Sequence, residues 1–154
     1  MIEISKTFQT KASPARVLDF FGNFGDRYVE MWPEAHQKHE MISEGPPQVG
    51  SNFRTVQTIK GRKVSSRGVI TKMEPGGFAW RMIPLPLMAG AYRYRPLPEG
   101  GTEITQTLQY GPPWPVIGSA VLFLLEVVAV SRANLEKHLD EEMQRLQRAL
   151  EAEA

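Results

Sequence analysis

The sequence contains no cysteine, which excludes disulfides, thiolate nucleophiles and zinc–thiolate centres at once. It also has no excess of either charge, because 18 Lys and Arg against 17 Asp and Glu leave a formal +1. That balance gives no basic footprint, so nucleic acid is not an expected partner. A phosphate-cradling loop is missing too: 45-GPPQVG-50 sets two prolines, which have no N–H to donate, among its glycines. Ser65, Ser66 and Ser119 have no histidine at a readable spacing, so no Ser-His-Asp arrangement is expected. The most membrane-like run, 116-VIGSAVLFLLEVVAV-130, falls short of the roughly 20 apolar residues of a spanning helix and is interrupted by Glu126. It reads as a buried or ligand-facing helix, with contact at a membrane surface as the alternative. The opening MIEISKTFQT shows no basic segment leading into an apolar core, and a cytoplasmic protein is the expectation. Nothing in the sequence sets an oligomeric state.

What is present is an ordinary globular composition, 42% hydrophobic and 23% charged over 154 residues, enough for one domain spanning 1–154 with a real core. Residues 2-IEISKTFQT-10 place Ile2, Ile4 and Phe8 at period two, with Lys6 as the exception, and predict a half-buried strand. In 13-SPARVLDFFGNF-24, Ser13 is a natural N-cap and Pro14 suits the first helical position; 26-DRYVEMW-32 predicts a second short helix ended by Pro33. Strand candidates then follow at 37–43, 50–61, 62–74, 78–83, 91–97 and 102–110, separated by turn residues such as 75-PGG-77 and 98-PEGG-101. Short strands and tight turns predict an antiparallel meander. From 116 to 151 the pattern is helical, with a kink near Ser131 and a stripe of Leu135, Leu139, Met143, Leu146 and Leu150.

Parity sorts the strand side chains. Phe53, Thr55, Gln57 and Ile59 share one face; Tyr92 and Tyr94 point together, opposite Arg93 and Arg95; Ile104, Gln106 and Leu108 share another face. Hydroxyls and amides among apolar inward positions suit a lined cavity better than a solid core. Trp32, Phe53, Gln57, Trp80, Tyr92, Tyr94 and Leu135 are the expected ligand-binding residues, plain core packing being the alternative for the aromatics. His138 and Glu142, at i, i+4, lie on one helical face and either share a site or form a solvated intrahelical pair. On a strand, His36 and His39 at i, i+3 face opposite ways, which turns His36 inward and leaves His39 exposed.

The element order, with the 13–24 segment after strand one, the 49-VGSNFR-54 run into strand three and the long final helix, resembles the START-like or Bet v 1-like superfamily of polyketide cyclases, dehydrases and lipid-transport proteins. The resemblance implies an α+β helix-grip fold: a curved antiparallel sheet wrapped around a long C-terminal helix, with an apolar cavity between them and two short helices after strand one. It implies binding of a small or medium hydrophobic molecule, whether lipid, polyketide or aromatic, with polyketide cyclisation by His138 and Glu142 as an alternative. A further resemblance, to metal-dependent hydrolases of acylated phloroglucinols, rests on 32-WPEAH-36 and 138-HLDEE-142. It implies zinc held by His36, His138 and Glu142, with Gln57 standing where that branch has a strand glutamate. A carboxylate is thereby replaced by an amide, a poor zinc ligand, and the site is expected to stay without metal.

Overall fold

The computed structural model describes residues 2–59, 62–84, 87–111 and 132–152. The expected helix over 116–130, and with it the alternative of a membrane-surface contact, lies outside them, as does the kink at Ser131. No helix among the described residues is long and apolar enough to cross a membrane.

Seven strands form one antiparallel sheet: β1 (Ile2–Thr10), β2 (His36–Met41), β3 (Asn52–Ile59), β4 (Arg62–Glu74), β5 (Gly77–Ile83), β6 (Met88–Pro96) and β7 (Thr102–Tyr110). The order across the sheet is β1-β7-β6-β5-β4-β3-β2. Strands β2 to β7 are a simple meander, and β1 closes onto β7, so β1 and β2 end up on opposite edges. Helices α1 (Pro14–Gly22) and α2 (Phe24–Met31) carry the chain from one edge to the other, and α3 (Arg132–Glu151) lies against the inner face. This is the helix-grip arrangement of the α+β class.

Local chemistry explains the element ends. Ser13 caps α1 by accepting the Arg16 N–H at 3.3 Å, and Pro14 opens it. Val17, Phe20 and Phe21 are the buried side of α1. The β6–β7 turn holds Gly100 and Gly101 at φ of 93° and 85°, a conformation that disfavours a side chain. Lys6, the polar interruption of β1, turns towards α3 and reaches Asp140 at 2.8 Å.

The inner face has two kinds of packing. Near the C-terminal end of α3, Met143, Leu146 and Leu150 close onto Val17, Phe20, Phe21 and Ile104 as a solid cluster. Towards its start, Leu135 and Leu139 pack on Ile4, Leu108 and Tyr110, leaving open space beside them. The floor of that space is flattened by two aromatic–glycine pairs. Phe53 lies over Gly68 across β3–β4, and Trp80 lies over Gly90 across β5–β6; a Cβ at either glycine would collide with the ring.

Candidate functional site

The space between the sheet and the first half of α3 is a cavity of about 350 Å³, at the small end of ligand-binding cavities. Phe53, Gln57, Trp80, Tyr92 and Leu135 border it, as do His138 and Glu142. Trp32 and Tyr94 do not. Tyr94 shares the inward face with Tyr92 but lies two residues further along β6, where it stacks on Phe21 at 5.6 Å. Trp32 follows α2 and its buried ring stacks on His138 at 4.7 Å, with the Arg145 guanidinium over the Trp32 ring at 5.0 Å. Sharing a face of a strand is therefore not the same as sharing the cavity.

At one end of the cavity polar groups gather around Glu142. This carboxylate is 3% exposed. Its Oε1 accepts three hydrogen bonds: from Tyr92 Oη at 2.6 Å, from Gln106 Nε2 at 3.0 Å and from Tyr28 Oη at 3.2 Å. Burial raises both tyrosine pKa values well above the ordinary phenol value, and the neighbouring Glu142 charge raises them further. Both phenols therefore stay protonated and act as donors. Sequence reasoning assigned no role to Tyr28, which reaches the site from α2. Gln106 carried a signal, an amide between Ile104 and Leu108 on an inward face, but without its partner.

The histidines cluster beside this end. His36 is fully buried, its ring 3.9 Å from Tyr28 and 5.9 Å from His138. It stands one layer behind the cavity wall. Burial, aided by repulsion from His138, His39 and Arg145, lowers its pKa from 6.5 to about 3. Neither ring nitrogen finds a hydrogen-bond partner among the described residues. His39 departs from the exposed, outward position expected of it. The β2–β3 register runs His36↔Gln57 and then Lys38↔Val56, so Gln37 is an extra residue, a bulge. The bulge resets the alternation, and His39, opposite Thr55, faces inward with His36. It stacks on Phe53 at 5.2 Å, and burial lowers its pKa to about 4.

His36, His138 and Glu142 come together: each offers one ligand atom, and these lie within 4.8 Å of one another. Zinc bonds of about 2.0–2.1 Å put tetrahedral ligands roughly 3.4 Å apart. Drawing these three around an ion requires a contraction of about an ångström, within reach of side-chain rotation. The unpartnered His36 nitrogens suit such a role, and Gln57, paired with His36 across the strands, is the adjacent amide.

A family model described as polyketide cyclase / dehydrase and lipid transport matches residues 1–151. The search of curated proteins finds no match. Among solved structures, the chain is similar to the Zhui aromatase/cyclase from Streptomyces sp. R1128, at 17% identity and TM-score 0.70, covering 97% of this chain and 90% of that one. It is similar to a START superfamily protein from Mycobacterium smegmatis, at 16% identity and TM-score 0.65 over 98% and 95% of the two chains. It is also similar to Ara h 8.0201, at 10% identity and TM-score 0.66 over 97% of each. At these identities the structures speak to the fold.

Proposed function

Because the chain belongs to the polyketide cyclase / dehydrase and lipid transport family, we propose that it binds a compact hydrophobic molecule in the cavity between the sheet and α3. The observation that carries this reading is the cavity itself, with Phe53, Trp80 and Leu135 as apolar walls and a cluster of hydrogen-bonding groups around Glu142. Burying apolar ligand surface there is worth about 25 cal/mol per Å² before ordering costs, and the polar end fixes orientation. About 350 Å³ favours one small ring system over a two-chain lipid. Native mass spectrometry of gently purified protein tests this. The expected result is a bound species of a few hundred daltons, or one acquired from a panel of aromatic and polyketide-like compounds. A protein that keeps its bare mass throughout overturns the reading.

A second reading, catalysis at the same end, is favoured by the buried His36 nitrogens, which lack partners among the described residues. His36, His138 and Glu142 would hold a zinc ion, which when bound supplies Lewis acidity towards a carbonyl. The chain's own contributions are independent of it. Tyr28 and Tyr92 hold Oε1 of Glu142, and the i, i+4 spacing sets His138 Nε2 at 3.8 Å from Oε2, where the imidazole can exchange a proton with a substrate hydroxyl or enol. Elemental analysis of protein purified without a histidine tag, with His138→Ala beside it, tests the metal. Zinc at one equivalent in the wild type alone supports it, and zinc in neither, even after loading, removes it.

A further inference from the structure

The cavity wall holds a buried carboxylate, Glu142, that, among the described residues, no lysine or arginine side chain answers. Lys6, opposite Gln106 in the β1–β7 register, is taken by Asp140 at 2.8 Å, and Lys137, which borders the cavity too, is an exposed side chain 3.8 Å from Glu141. His138 Nε2 stands 3.8 Å from Glu142 Oε2, too far for a hydrogen bond. An unpaired carboxylate in such surroundings is costly, and its three donors all go to Oε1.

The neighbouring amide points to the same deficit. A carboxylate only accepts, so Gln106 must turn its NH2 towards Glu142. That leaves Gln106 Oε1 buried with no donor among the described residues. The polar end thus has acceptors in excess and wants donors. Phe53, Phe78, Trp80 and Tyr92 all border the cavity, and the negative quadrupole of an aromatic ring attracts a cation.

We infer that the ligand is an apolar molecule bearing a protonated amine, with the ammonium set beside Glu142 and Gln106 Oε1 and the apolar body against Phe53 and Trp80. An ammonium brings three donors and no acceptor, which matches what the site lacks. An alcohol brings one donor, and a carboxylate brings repulsion. Met41, Met82 and Met88 in the wall adapt to bodies of different shape. The inference rests on the hydrophobic-ligand reading above and names the ligand's polar group.

Calorimetric titration of chelator-treated protein at pH 7 with 2-naphthylmethylamine, its N-trimethyl derivative, 2-naphthylmethanol and 2-naphthoate tests it. The amine is expected to bind at least about tenfold tighter than the alcohol, since charge-assisted hydrogen bonds are roughly twice as strong as neutral ones. The trimethyl compound, with charge but no donors, falls between them, and the carboxylate is weakest. Glu142→Gln removes the amine's advantage. An amine no tighter than the alcohol, or a carboxylate that binds best, overturns the amine inference and leaves the hydrophobic-ligand reading standing. Binding of none of the four overturns both. The wild-type ligand series decides the matter even if the variant fails to fold.

Discussion

Along α3, the residues beyond Glu142 and those before it meet the sheet in different ways. Met143, Leu146 and Leu150 sink into a cluster with Val17 and Phe20, none of which borders the cavity, whereas Leu135, His138 and Glu142 stand at its edge. The same helix therefore has an end that holds the domain together and an end that is held. Polar groups follow the division. The solid end buries hydrocarbon, while the open end collects a carboxylate, an amide, two phenols and the histidines, most of which are expensive to bury. Core packing and cavity lining are drawn from separate turns of one helix.

The largest test of that division uses pH. His36 and His39 sit neutral at the open end, with pKa values lowered to about 3 and about 4. Both are depressed, so their contribution is complete above the unfolded value of 6.5 and is lost as pH falls towards the folded values. Between those limits the unfolded chain binds more protons, and stability rises with pH. At ~1.4 kcal/mol per unit for each group, the change from pH 6.5 to 4.5 is on the order of 5 kcal/mol. Urea unfolding of metal-free protein across this range checks it, and a flat profile would mean that these rings are solvated.

Core truncation is next in size. Leu146→Ala, at a fully buried position in the solid cluster, should cost about 3–4 kcal/mol, because it opens a new void. Leu135→Ala only enlarges existing space and should cost about 2 kcal/mol. Equal losses by urea denaturation would erase the distinction between the ends. The smallest effect is expected for Glu142→Gln. Replacing a buried charge with an amide of the same shape should shift stability by less than about 1 kcal/mol, in either direction. A large loss would make Glu142 a structural member rather than a binding one.

Much of this fold was legible in the chain. β1 and β7 run over the residues that alternation picked out, 2–10 and 102–110, because each has one buried and one open face. The cap at Ser13 and the leucine stripe of α3 follow from equally local rules. The site was legible where it depended on helical spacing: the i, i+4 relation of His138 and Glu142 survives folding unchanged. It failed where distance along the chain stopped predicting direction. A bulge at Gln37 carries no sequence mark, yet it reverses His39. Residue type points Trp32 to the cavity, and residue type with strand face points Tyr94 there, but neither criterion says how far a cavity extends. Tyr28 could not be connected to Glu142, 114 positions away, without knowing that α2 crosses from one sheet edge to the other.

The rings of Phe53 and Trp80 lie low because Gly68 and Gly90 beneath them have no side chain. The depth of the cavity is thus written into two positions outside its lining. A single methyl group at either one would displace the ring above it and change the room available, while every lining residue stayed the same. Relatives sharing all the lining residues but differing at these two places would have cavities of different depth. A search for the determinants of selectivity confined to the surface of the cavity would miss the adjustment.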